Sequence, residues 1–199
     1  MRKFPKSLDV DIIIFLDCEY TCWENSVETQ WADPNYPMEI IQIGLAFFDL
    51  HETQFIEKYS KYVRPKTNPI LSQYCKNLLQ IEQIVVDHAD DCLSVFRDIE
   101  MLLNSHNKRS KSTCSWGNDR EAITISAKHN SCLDPFRSIP STDLSVVAAK
   151  KLCANDNIPT REQLRTLLGV TYPQNRHDAL VDALDLKTLL DALIDRELY

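Results

Sequence analysis

The stretch Ile12-Ile13-Ile14-Phe15-Leu16-Asp17-Cys18-Glu19 decides the fold class. Its continuous apolar run is rich in β-branched residues and predicts a strand buried on both faces, the kind found inside an α/β sheet. Two carboxylates follow at its C-terminal end. Side chains alternate along a strand, so Asp17 and Glu19 point to the same side. Like charges placed so close repel, and burial beside an apolar core adds to the cost of ionising them. A divalent cation between them removes that cost, and oxygen ligands of this kind suit Mg²⁺ or Mn²⁺. Taken alone, the pair also reads as two solvated acids just past a strand end.

Working outward, Ile40 to Phe48 reads as a second strand. Phe55 to Val63 reads as a third, ended by Arg64-Pro65. Three strands in succession suggest a meander, with a hairpin turn near Asp49 to Thr53. Helical periodicity then takes over. Leu71 to Leu79 and Cys92 to Leu103 are helix candidates, the latter with Leu93, Phe96, Ile99, Leu102 and Leu103 on one face. Asn104 to Ser112 reads as a polar, basic loop, and Thr113 to Trp116 as a fourth strand. Asp119 to His129, Leu144 to Cys153, Thr160 to Leu168 and Asp178 to about Arg196 read as helices. Thr160 with Gln163 fits a capping box, and Gly169 stands where a C-cap glycine belongs. Strands first and helices later, without repeat or linker, predict one α/β domain over residues 1–199.

Composition narrows the function classes. The chain has 199 residues, 44% of them hydrophobic and 26% charged, ordinary for a globular domain. Its longest apolar run is far short of the roughly 20 residues that span a bilayer. No apolar segment follows the basic N-terminal residues, which predicts a cytoplasmic location and no membrane partner. The seven cysteines are scattered and form no Cys-x-x-Cys pair, which argues against a zinc site or a disulfide framework. A net charge of −7 argues against coating long nucleic acid by bulk electrostatics, but not against gripping a few nucleotides.

Two further segments carry chemistry. In Arg176-His177-Asp178-Ala179-Leu180-Val181-Asp182-Ala183, His177 and Asp182 are spaced i, i+5. On one regular helix they would stand about 140° apart, so they converge only if His177 precedes the helix or sits in its first turn. A histidine there can serve as a general base near neutral pH. Asp178, Asp182 and Asp185 also fit a wet helix face. In Cys114-Ser115-Trp116-Gly117-Asn118-Asp119, a strand ends, a glycine permits a sharp turn, and Asp119 opens a helix. Aspartate is also favoured there by capping and by the helix dipole. Trp116 is a candidate for stacking on a base.

In this order, the three segments resemble the DEDDh family of 3′→5′ exonucleases, the DnaQ-like branch of the ribonuclease H-like fold. The Asp-x-Glu motif matches Asp17 and Glu19, the second-motif aspartate matches Asp119, and His-x-Ala-x-x-Asp-Ala matches His177, Ala179, Asp182 and Ala183. The closer resemblance is to the subgroup of the histone-mRNA and enhanced-RNAi exonucleases and bacterial KapD-like proteins. It rests on Thr21-Cys22-Trp23, on Glu39-Ile40-Ile41-Gln42-Ile43-Gly44, on Tyr62-Val63-Arg64-Pro65, on Leu71-Ser72-Gln73-Tyr74-Cys75, and on Trp116-Gly117 ahead of Asp119. Two departures stand out: Leu78-Leu79-Gln80-Ile81 replaces the usual Leu-Thr-Gly-Ile turn, and Gln174-Asn175-Arg176 replaces the glycine before the third-motif histidine.

The resemblance implies a central mixed sheet whose first three strands are antiparallel, flanked by helices. It implies two Mg²⁺ ions roughly 3.5–4 Å apart, with Mn²⁺ able to substitute. Asp17, Glu19, Asp119 and Asp182 would be the metal ligands and His177 the general base, with Glu19 also counted in the catalytic set. The substrate would be the 3′ end of single-stranded nucleic acid, RNA favoured over DNA, and the product a nucleoside 5′-monophosphate. Trp116 is the first candidate to contact the terminal base, followed by Tyr20 and Trp23. The basic stretch Lys108-Arg109-Ser110-Lys111 reads as a solvated loop. Two alternatives share the fold: a nucleic-acid- or protein-binding regulator with little turnover, and a proofreading exonuclease that works within a polymerase.

Overall fold

A computed structural model of the chain describes residues 10–152, 158–171, 173 and 177–198. Its elements are, in order, β1 (Ile12–Tyr20), α1 (Ser26–Thr29), β2 (Ile40–Asp49), β3 (Gln54–Arg64), α2 (Gln73–Leu79), α3 (Gln83–Asp87), β4 (Asp90–Asp91), α4 (Cys92–Ser105), β5 (Lys111–Ser115), α5 (Asp119–His129), β6 (Ser141–Asp143), α6 (Leu144–Leu152), α7 (Arg161–Leu168) and α8 (Ala179–Asp195). The strands form one mixed sheet in the order β4-β3-β2-β1-β5-β6. β1, β2 and β3 pair antiparallel, while β5 runs parallel to β1 and β6 parallel to β5.

β1 is central because both of its faces are apolar. Ile12, Ile14, Leu16 and Cys18 face α4 and α5, packing with Val95, Phe96, Ile99, Ala122 and Ile123. Ile13 and Phe15 face the other layer, with Leu144, Leu164, Leu168, Leu186, Leu189 and Leu193 of α6, α7 and α8. Each such side chain contributes roughly 1.5–3 kcal/mol over remaining exposed. Asp17 and Glu19 continue the face of Ile13 and Phe15, so the alternation that builds the core also aims both carboxylates towards α8.

Gly44 lies opposite Asp17 in the β1–β2 register. A Cβ there would stand 2.2 Å from the backbone carbonyl of Ala179 and 2.3 Å from the amide nitrogen of Leu180. Only glycine lets the first turn of α8 rest this closely on the sheet. Gln42, two residues away on the same face, accepts the Ala179 N–H at 3.3 Å and donates to the Asp178 carboxylate at 3.4 Å. The start of β2 is tied as firmly. The buried Glu39 carboxylate accepts the backbone N–H groups of Lys66 (2.9 Å), Thr67 (2.9 and 3.0 Å) and Asn68 (3.0 Å).

Several boundaries differ from the sequence reading. α2 starts at Gln73 because Ser72 is its N-cap, accepting the Cys75 N–H, which leaves Leu71 outside. β5 begins at Lys111, inside the expected polar loop. Its buried hydroxyls at Ser112 and Thr113 bond to the Pro140 carbonyl, so polar side chains do not bar the strand from the interior. The short strands β4 and β6, too polar and brief for a periodic signal, have no counterpart in the sequence reading. The basic stretch is bound to the sheet end: Arg109 pairs with Asp49 at 2.8 Å, and the Lys111 ammonium bonds the Arg109 carbonyl at 2.9 Å. That is the opposite end of β1 from Asp17 and Glu19. Cys153 lies outside the described residues; the six described cysteines are free thiols, five of them buried. No helix among the described residues is long and apolar enough to cross a membrane.

Candidate active site

Three chain segments deliver the predicted residues to one rim of the sheet. β1 supplies Asp17, 4% exposed, and Glu19, just before the register shifts between Glu19 and Tyr20. Because β5 runs parallel to β1, it ends at the same rim. There Gly117 turns the chain with a φ of +63°, and Asp119 enters the first turn of α5. Asn118 occupies the N-cap position without a side-chain hydrogen bond. The buried Asp119 carboxylate instead accepts the Trp116 N–H at 3.3 Å, so it faces back toward β1.

α8 supplies the third segment. Asp178 is its N-cap, accepting the N–H groups of Leu180 and Val181. His177 therefore precedes the helix, in the left-handed region with a φ of +63°. Its N–H donates to Asp182 at 3.1 Å, which folds the i, i+5 pair together. This meets the geometric condition that the spacing imposed. Glu19, His177 and Asp182 each offer a ligand atom, and these atoms lie within 4.8 Å of one another. Gln174-Asn175-Arg176, one of the departures noted above, lies outside the described residues.

These groups line a cleft of about 230 Å³ together with Tyr20, Trp116, Arg161, Arg165 and Asp185. Of the three aromatic candidates, Trp116 and Tyr20 are at the cleft. The Tyr20 ring is braced edge-on by Trp31 at 5.3 Å. Trp23 is not among the lining residues; its ring packs on Tyr36 at 4.7 Å.

Sequence reasoning missed Arg161 and Arg165. On α7, Arg161, Leu164, Arg165 and Leu168 form an i, i+3, i+4, i+7 face, so the two arginines stand where a core-facing helix should be apolar. Two cations on that face were the available signal for acids on the opposing layer. Arg161 pairs with Asp17, approaches Asp182 at 3.8 Å and lies over the Trp116 ring at 5.9 Å. Arg165 pairs with Asp185.

The electrostatics are those of acids crowded away from water. Burial pushes the Asp17 carboxyl up to about 6, with Arg161 opposing the rise and Asp182 adding to it. Burial, then the charges of Asp17 and Asp182, push Glu19 up to about 9. Asp119 is raised well above the usual carboxylate range by burial and by Asp17. A cluster of buried and half-buried carboxylate oxygens beside one imidazole is a donor set that fits a hard divalent cation.

A pH dependence follows. Both Asp17 and Glu19 hold protons more tightly folded than unfolded, so the native state carries excess protons over roughly pH 4–9. Their contribution to stability is intact below the ordinary carboxylate range and is lost as pH rises through their raised values. With EDTA present, the melting temperature should therefore fall across this window, and added Mn²⁺ should flatten the profile. A melting temperature in EDTA that rises towards pH 9 contradicts this assignment.

A family model described as exonuclease matches residues 14–190. The 3′-5′ exonuclease eri1 of Schizosaccharomyces pombe is 29% identical over 130 residues, which is 65% of this chain and 37% of that protein. The probable 3′-5′ exonuclease KapD of Bacillus subtilis is 30% identical over 127 residues, 63% of this chain and 57% of that one. The chain thus matches well under two thirds of either relative's length. Among solved structures, the nuclease domain of 3′hExo, a DEDDh family member bound to rAMP, superposes with a TM-score of 0.77 at 21% identity, covering 94% of both chains. That likeness shows the ribonuclease H-like α/β fold, with its first three strands antiparallel, as the sequence reading expected.

Proposed function

The chain belongs to the exonuclease family, and on that premise we propose that it removes nucleotides from the 3′ end of single-stranded nucleic acid, RNA in preference to DNA. Mg²⁺ is the proposed physiological ion, with Mn²⁺ able to replace it. The observation that carries this reading is the convergence of Asp17, Glu19, Asp119, His177 and Asp182 on one cleft from three separate segments.

Asp17, Glu19 and Asp182 would hold one divalent cation, with Asp17 and Asp119 holding a second. When bound, such ions neutralise the carboxylates and polarise the phosphodiester as Lewis acids. The chain's own groups do the rest. His177, outside the helix and tethered through its N–H to Asp182, accepts the proton of the attacking water. Trp116 and Tyr20 flank the acids and offer ring faces or edges to the terminal base. Gly44 and Gln42 keep the α8 segment at its distance from β1, so the relative placement of His177, Asp182 and Asp17 is set by the scaffold.

The purified chain should shorten a 5′-labelled single-stranded oligonucleotide stepwise from its 3′ end with Mg²⁺ or Mn²⁺, release nucleoside 5′-monophosphates, and stop on addition of EDTA. Matched RNA, DNA and duplex substrates should rank single-stranded RNA first. Binding without shortening would favour the regulator reading, and activity only in the presence of a polymerase would favour the proofreading one.

A further inference from the structure

The guanidinium of Arg161 lies among the acids proposed to hold the cations. It pairs with Asp17, lies 3.8 Å from Asp182 and stands over the Trp116 ring at 5.9 Å. The helix presenting it is held in place independently. A reciprocal Thr160–Gln163 capping box fixes its start, Arg165 pairs with Asp185, and Arg196 donates to the Leu168 carbonyl at 2.6 Å. Arg161 is the first residue of α7 and 22% exposed, so its long side chain can swing without the helix moving.

Charge accounting says what that swing accomplishes. Asp17, Glu19, Asp119 and Asp182 offer up to four negative charges once all are ionised, and Arg161 is the guanidinium paired with Asp17. Two divalent cations would neutralise all four and would repel Arg161 from Asp17. The phosphodiester entering the cleft then brings one negative charge that the acids' cations have not balanced, and Arg161 carries one positive charge to meet it.

We propose that Arg161 is a switching cation, the counter-ion of Asp17 until divalent ions displace it and thereafter a ligand of the substrate phosphate. The inference rests on the exonuclease reading and assigns Arg161 a substrate-binding role within it.

The test uses the whole chain and two calorimetric titrations, on wild type, Arg161→Gln and Arg161→Lys. Mn²⁺ alone should bind Arg161→Gln several-fold more tightly than wild type, since its competitor is gone. AMP, a non-reacting product, should bind Arg161→Gln at saturating Mn²⁺ roughly tenfold more weakly, the scale of one lost charge-assisted hydrogen bond. Arg161→Lys keeps the charge and should fall between the two in both titrations, and it keeps the test open if the glutamine variant folds poorly. Unchanged or weaker Mn²⁺ binding by Arg161→Gln overturns the proposal, as does unchanged AMP binding. Wild type that binds no Mn²⁺ at all overturns the exonuclease reading instead, so the two failures are distinguishable.

Discussion

Replacing His177 with alanine is expected to slow 3′-end cleavage by on the order of 10²–10⁴-fold while leaving the fold intact, the range expected for a positioned general base. The separation of the two effects follows from where His177 sits. It lies outside α8, before the Asp178 cap, and its tether to Asp182 runs through the backbone N–H, which alanine keeps. The apolar contacts of α8 begin at Ala179 and are untouched. Single-turnover rates on a 5′-labelled oligonucleotide at saturating Mn²⁺ measure the first effect, and thermal melting the second. Undiminished cleavage by this variant would remove His177 from the proton-transfer role. An equal collapse of melting temperature would mean that the rate reports unfolding instead of chemistry.

Gly44→Ala should be nearly as damaging from a position that touches no substrate. The added methyl would overlap the Ala179 carbonyl at 2.2 Å, and both partners are backbone, so no side chain can rotate away. The first turn of α8 must lift from β2 or the strands must part. Overpacking of this kind costs roughly 1–3 kcal/mol, occasionally more. The catalytic cost is larger than the stability cost implies. Lifting the helix moves His177 and Asp182 together away from Asp17, and a shift of about 1 Å in a reacting constellation can cost 10²-fold in rate. Urea denaturation and cleavage assays on the same preparation separate the two. A variant as stable and as active as wild type would show that the close approach of helix and sheet is dispensable.

These two residues mark how much of the site the sequence displayed. The acids and His177 were legible from the order of three motifs and the residues flanking them, since the strand end, the glycine turn and the helix start taken singly also fit solvated or capping acids. The condition that His177 must precede its helix or sit in its first turn came from angular spacing alone, and the first of these is what the structure has, with Asp178 as the N-cap. α7 was legible from its caps, Thr160 with Gln163 at its start and Gly169 at its end. Arg161 and Arg165 were not, because their meaning depends on acids far away in sequence, on β1 and α8. Without the partner layer, two arginines on a short helix read as a solvated face. The strands β4 and β6 were missed for a related reason. Their side chains are polar, and membership of the sheet comes from backbone pairing with β3 and β5. Trp23 reads from sequence as core or loop packing ahead of a base contact, and the fold agrees, with Tyr20 lining the cleft and Trp23 packed on Tyr36.

The pairing directions of the sheet divide the molecule into a working end and a handle. β1 and β5 run parallel and finish at the acids, whereas the β2–β3 turn and the approach to β5 gather at the other end. That far end is sealed by its own charges: Arg109 with Asp49, and Asp11 with His51 and the backbone of Ser110. A fluorophore, a surface tether or a fused partner attached at the exposed residues His51 to Thr53 would sit a full strand length from the cleft. An attachment there would leave the rim that carries the acids facing the solution.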